Sequence, residues 1–131
     1  MNLSPSFVRY QLPAIVWALV IFGLSSIPQR DFPSINITGL DKVAHIILYG
    51  ALFLFLYNAL RHQTTFPFLS RYHKLISLFL AALYGASDEL HQLAVPGRSC
   101  DIFDWVADAA GALLCLAALW LYERRHQIRQ V

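Results

Sequence analysis

Within residues 84 to 111, YGASDELHQLAVPGRSCDIFDWVADAAG, an otherwise mostly apolar chain places five carboxylates, one His and one Arg. Asp88 and Glu89 are adjacent, and Asp101, Asp104 and Asp108 follow at spacings of three and four. Upstream, Asp41, His45 and Tyr49 recur every fourth residue, with Lys42 beside the first. Carboxylates in partly dehydrated surroundings can divide their roles: one is held as a protonated acid, while another beside a cation stays a base. Asp88, Glu89, His45 and Asp104 are therefore the candidate catalytic groups. Arg98 has the planar fork that grips a phosphate or carboxylate bidentately. With Asp41, Lys42, Tyr49, Tyr84, Gln92 and Asp108 it makes up the candidate binding set.

What must position these residues follows from composition. A chain of 131 residues that is 57% hydrophobic and 14% charged reads as an all-α polytopic membrane protein. At this length it is one unit, residues 1–131, with no room for a separate soluble catalytic domain beside several spans. The net charge of +2 is small and its Lys and Arg are dispersed, which excludes a nucleic-acid surface. Cys100 in a loop and Cys115 inside a helix differ too much in depth to form a disulfide framework.

Four apolar stretches are long enough to span, at about 10–27, 42–60, 75–95 and 105–122. Pro28 closes the first, Asp41 is placed to N-cap the second, Pro96-Gly97 ends the third, and Glu123-Arg124-Arg125 stops the fourth. A signal peptide is the competing reading of the first stretch, but SSIPQ lacks a small-x-small cleavage pattern. Lys and Arg set the orientation. Arg9, Arg61, Arg71, Lys74, Arg124, Arg125 and Arg129 fall on one face against Arg30, Lys42 and Arg98 on the other. Both termini are thus expected in the cytoplasm, with the loops after spans one and three outside. Asn36-Ile37-Thr38 matches a glycosylation acceptor, a pattern too common by chance to carry weight.

Under this topology every acid except Glu123 lies in the outer half. Helical spacing puts Asp41, His45 and Tyr49 on one side of span two, Tyr84, Asp88 and Gln92 on one side of span three, and Asp104, Asp108 and Gly111 on one side of span four. At about 1.5 Å per residue, Asp88 is expected roughly 12 Å below the Pro96 turn, level with Tyr49 below Asp41. A carboxylate facing lipid costs about 2.5 to 3.5 kcal/mol, so these acids should face one another. The expected result is an outward-opening polar cavity between spans two, three and four, with span one supporting the bundle from the side.

Plainer readings stand beside this one. Asp41, Asp101 and Asp104 can be helix caps, and Arg98 a loop cation paired with Asp101. His45, His91 and Tyr49 can be hydrogen-bonding partners within the bundle. His62, His73 and His126 read as interfacial, as do Tyr10, Trp105, Trp120 and Tyr122. The Ala107, Gly111, Cys115 stripe serves close helix packing. Asp88 and Glu89 have no such structural excuse.

With these residues in hand, the chain resembles the VanZ-like family of small integral membrane proteins over nearly its whole length. The resemblance rests on Ser25-Ser26-x-Pro28, on Asp41, Lys42, His45 and Tyr49, on Tyr84, Gly85, Asp88, Glu89 and Gln92, and on Pro96-Gly97-Arg98 followed by Asp101, Asp104 and Gly111. Asp108 departs from the family's preference for Asn. The resemblance implies a bacterial inner-membrane protein whose outward site serves an envelope process. Resistance to teicoplanin, associated with the member that names the family, would be a special case.

Two functions from different classes fit. One is acid-base catalysis on a lipid-linked or amphipathic envelope substrate. The other is non-catalytic binding of a precursor, a drug or a partner helix. Proton or ion movement fits less well, because no ionisable residue continues the pathway to the cytoplasm. No cofactor is expected. A divalent metal held by the His and acids is the less favoured variant, since no HExxH or Cys cluster is present.

Overall fold

The computed structural model describes residues 4–31 and 39–128. Among these residues the chain is helical throughout, with no strand. A π turn at Phe7–Gln11 leads into α1 (Leu12–Ser25), and a 3-10 turn occupies Gln29–Asp31. Then follow α2 (Leu40–Arg61), a short α3 (Pro67–Arg71), α4 (His73–Gln92) and α5 (Ile102–Ile128). Three helical segments, Phe7–Ser25, Leu40–Arg61 and Ile102–Gln127, are long and apolar enough to cross a membrane. α4 falls outside that group because its average is diluted by Asp88, Glu89, His91 and Gln92.

Local chemistry sets the helix ends, and in places moves them from where sequence put them. Pro13 sits in the first turn of α1, where its missing N–H costs nothing. α1 ends at Ser25, and the Ser26 hydroxyl donates back to the Phe22 carbonyl at 2.7 Å. At the start of α2 the N-cap is Gly39 at φ 86°, a left-handed conformation suited to Gly, so Asp41 is a first-turn residue and not the cap. α4 stops at Gln92, and the chain then tightens through Ala94 N–H to His91 O and Val95 N–H to Gln92 O before Gly97 turns it at φ 78°. Asp88 therefore lies one turn from its helix end, shallower than the Pro96 turn suggested. α5 begins at Ile102, because the Asp101 carboxylate accepts the Phe103 N–H at 2.9 Å, and it continues beyond Glu123.

α2 and α4 form the middle of the bundle: both contact α1 and both contact α5, whereas the described residues of α1 and α5 do not meet. Two buried clusters result. Ile21, Tyr49 and Leu52 pack on the α1 side, and Phe53, Tyr57, Ala81 and Ala112 on the α5 side. α2 and α5 approach most closely at glycine. A Cβ on Gly111 would collide with the Ile46 carbonyl oxygen, and one on Gly50 would sit 3.1 Å from Cys115 Sγ.

The end opposite the acid-rich stretch is latched separately. Glu123 accepts from Lys74 and from the Tyr57 hydroxyl, and Arg61 donates to that same hydroxyl at 3.1 Å. Tyr10 stacks on His62 at 4.0 Å, and Gln11 donates to the Ala59 carbonyl. The basic residues Arg9, Arg61, Arg71, Lys74, Arg124 and Arg125 thus share one end. Arg129 lies outside the described residues.

The glycine crossing makes a graded prediction. Gly111→Ala must push backbone against backbone and should cost roughly 1 to 3 kcal/mol. Gly50→Ala should cost less, and Gly23→Ala, with nothing within 4 Å of its added carbon, should cost nothing. Thermal unfolding in detergent reads the order; equal melting temperatures for the Gly111 and Gly23 variants would refute the close crossing.

Candidate functional site

The start of α2 brings Lys42 against the start of α5. Its ammonium pairs with Asp101 at 2.8 Å, with Asp41 at 3.2 Å, and with Asp104. Asp101 thus does two things at once, capping α5 and neutralising Lys42, and the Lys42 ammonium holds its carboxyl below the usual carboxylate range. α4 joins this end through Glu89, whose Oε2 accepts the Asp101 N–H at 2.8 Å. One cation and one backbone donor therefore tie the ends of α2, α4 and α5 together.

One turn deeper, His45 Nδ1 is 2.8 Å from Asp108 Oδ1, and its Nε2 is 3.9 Å from Asp104 Oδ2. Tyr49 follows one turn below, its ring parallel to that of His45. Gly85 on α4 makes room for this layer: a Cβ there would stand 2.8 Å from Asp108 Oδ2 and 3.3 Å from Tyr49 Cε1. Asp108, Glu89 and Tyr49 are all buried. Glu89 Oε1, Asp108 Oδ2 and the Tyr49 hydroxyl have no hydrogen-bond partner among the described residues.

Beside this network lies a cavity of about 680 Å³. Its lining is mixed, with Lys42, His45, Asp88, Gln92, Arg98 and Asp104 as polar members and Ile21, Leu24, Leu40 and Leu48 as apolar ones. Asp41, Tyr49 and Asp101 also reach it. Span one is thus not a bystander: Ile21, Leu24, Ser25 and Gln29 line the cavity, which corrects the expectation that it supports the bundle from the side. α1 is held there by a hydrogen bond from Gln29 N–H to Pro96 O at 3.3 Å, and by Arg98 Nε donating to Ile27 O at the same distance.

Not every candidate from the sequence lines the cavity. Tyr84 donates its hydroxyl to the Ala18 carbonyl at 2.7 Å and braces α4 against α1. Glu89 and Asp108 lie behind the wall, while Asp88 faces the cavity and takes a 3.4 Å hydrogen bond from Gln92. The adjacent acids therefore serve different places. Trp105 donates to the Ala82 carbonyl at 2.9 Å, so its indole N–H joins α5 to α4. His91 stacks on Phe22 and hydrogen-bonds Ser26, a packing role on α1. Sequence reasoning missed Ser25 and Gln29 as lining residues. The Ser25-Ser26-x-Pro28 motif was the sequence signal available for Ser25, whose hydroxyl is buried without a hydrogen-bond partner among the described residues.

Chemically, the cavity joins two cationic side chains, one imidazole and several carboxylates to an apolar wall. That combination suits a ligand with an anionic or hydrogen-bonding head and an apolar body. A cluster of metal-ligating type lies within the same region: one nitrogen of His45 and one oxygen each of Glu89 and Asp108 fall within 4.8 Å of one another.

No curated protein and no solved structure matches this chain. The VanZ/LLP1 family profile matches residues 2–123, which takes in α1, α2, α4, most of α5, the Lys42 cluster and the whole cavity. The chain belongs to the VanZ/LLP1 family.

Proposed function

We propose that this is a bacterial inner-membrane protein with four spans and both termini in the cytoplasm, whose outward cavity receives a lipid-linked or amphipathic envelope ligand. The observation that carries this reading is the mixed lining of the cavity, in which Ile21, Leu24, Leu40 and Leu48 from α1 and α2 stand beside Lys42, His45, Asp88, Gln92, Arg98 and Asp104, at the end remote from the Arg-rich one. Asp88 and His45 are the groups positioned to exchange protons with such a ligand, and Arg98 to hold an anionic head. Resistance to teicoplanin-type glycopeptides would follow if the ligand is a cell-wall precursor or the drug itself.

α4 serves as the fourth span in this reading. Its 20 residues cover about 30 Å, the thickness of the hydrocarbon core. Leu75, Phe79, Leu83 and Leu90 form an exposed apolar stripe along its whole length, and its charged residues near the acid-rich end are turned inward. Such a stripe suits lipid contact and is costly in water.

Non-catalytic binding is the second reading, favoured by one feature: Lys42, Asp101, Asp104 and Glu89 are occupied with one another in holding α5. A site whose charges are mostly committed to architecture can recognise without turnover.

Orientation is tested with a native thiol. Cys100 is exposed near the cavity, so it should react with a membrane-impermeant maleimide in spheroplasts. Gln63→Cys, in a Cys100→Ser background, should react only after permeabilisation. The reverse pattern would invert the protein.

Function is tested by the teicoplanin susceptibility of a sensitive host at matched membrane abundance. Wild type and Ser87→Ala, an exposed site on α4, should protect equally. Ala44→Trp, which fills the cavity, should lose protection under either reading. Asp88→Asn should lose it only if acid-base chemistry operates; an amide variant as active as wild type leaves the binding function alone. No protection by wild type removes the resistance reading.

A further inference from the structure

We propose that His45, Glu89 and Asp108 form a site for one divalent transition-metal ion, of the Zn2+ or Mn2+ class, between α2, α4 and α5. The donors are already gathered. His45 Nδ1 and Asp108 Oδ1 are 2.8 Å apart, and a Glu89 oxygen completes a set whose members all lie within 4.8 Å of one another. Ligands bound to one such ion at about 2.1 Å can be at most about 4.2 Å apart, so a sub-ångström side-chain adjustment closes the set.

A second observation points to the same occupant. Glu89 is 3% exposed and Asp108 1%, and each keeps one oxygen, Oε1 and Oδ2 respectively, that is buried and without a hydrogen-bond partner among the described residues. A buried carboxylate oxygen with no donor is costly, and two in one cluster call for a positive charge. Lys42 does not supply it, because its ammonium is engaged by Asp41, Asp101 and Asp104. A divalent ion held between His45, Glu89 and Asp108 brings that charge to both carboxylates.

The chemistry of the set selects the ion. One imidazole with two carboxylates and no thiolate suits Zn2+ or Mn2+, whereas Ca2+ asks for six or more oxygens and Mg2+ for an oxygen octahedron. One surrounding group already orients a member of the set: the Asp101 N–H fixes Glu89 Oε2 at 2.8 Å. His45 belongs both to this cluster and to the cavity lining, so an ion there would adjoin whatever the cavity holds.

The test uses the whole chain purified in detergent, stripped with a chelator and dialysed against Zn2+ or Mn2+. Wild type should take up one ion per chain and melt at a higher temperature with the ion than without it. Asp108→Asn and Glu89→Gln should bind at least about tenfold more weakly and lose that rise. Glu123→Gln, at the opposite end of the bundle, should bind as wild type does. Should the amide variants not fold, X-ray absorption of the Zn2+-loaded wild type still decides, because it must show a mixed nitrogen and oxygen shell without sulfur. A stripped wild type that takes up no stoichiometric ion, or amide variants that bind as well as wild type, would overturn the proposal. That failure is distinct from failure of the cavity reading, which rests on Ala44→Trp and needs no metal.

Discussion

The close crossing of α2 and α5 at Gly111 is the constraint on which the polar end depends. With only hydrogen on Gly111, the Ile46 carbonyl of α2 lies against the α5 backbone. Ile46 adjoins His45, and Gly111 lies one turn beyond Asp108, so this contact fixes the distance between the two polar faces. A larger residue there would part His45 from Asp108, now 2.8 Å apart, and draw Lys42 away from Asp101 and Asp104. Gly85 does the equivalent for α4 by admitting Asp108 and Tyr49. Small residues in this chain thus set the electrostatics, because they decide how near the charged side chains can come.

Much of this was legible in the sequence, and the parts that were follow from helical periodicity. The spacing of Asp41, His45 and Tyr49 against Asp104 and Asp108 put matching faces on two helices, and the structure pairs them through Lys42 and His45. The Ala107, Gly111, Cys115 stripe read as a packing face and contains the crossing glycine. Direction around the helix was harder to read. Tyr84, Asp88 and Gln92 share a repeat of four, yet Asp88 and Gln92 line the cavity while Tyr84 donates its hydroxyl to the Ala18 carbonyl of α1. The role of α1 was illegible for another reason. It contributes mainly apolar side chains and one serine to the cavity, and nothing in their type separates a cavity wall from a lipid face. The grouping of His45, Glu89 and Asp108 was legible only in outline: the sequence offered a divalent metal held by the His and acids as the less favoured variant, because the members come singly from three helices and leave no short motif.

Helix ends show the same division between local and tertiary causes. Asp101 caps α5, as its type allows, and gains a second partner in Lys42. Asp41 has the same cap-forming chemistry but stands two residues past Gly39, whose left-handed backbone starts α2. Asp41 instead uses its carboxylate on Lys42 and remains largely exposed. Glu123, the acid outside the polar end, found its partners in Lys74 and Tyr57 and latches the far end of α5 to α2 and α4. The two ends of the bundle are therefore each held by a lysine ammonium that is about one-third exposed, three carboxylates answering it at one end and one at the other.

The adjacent acids Asp88 and Glu89 resolve into two tasks for a geometric reason. Neighbouring residues on a helix point about 100° apart, and here that turn sends the two carboxylates to different sides of α4. Asp88 turns to the cavity between α1 and α2, and Glu89 turns toward α5, where it receives the Asp101 N–H. α4 sits between these regions and is touched by both sides of the bundle. Placing two acids side by side at that point lets one helix serve a ligand-facing surface and a structural or ligating cluster. A charge at membrane depth is tolerated only where something answers it, about 2.5 to 3.5 kcal/mol being the cost otherwise. Asp88 is answered by Gln92 and the open cavity. Glu89 is answered on one oxygen by backbone, and its other oxygen is the place where the fold still asks for a partner.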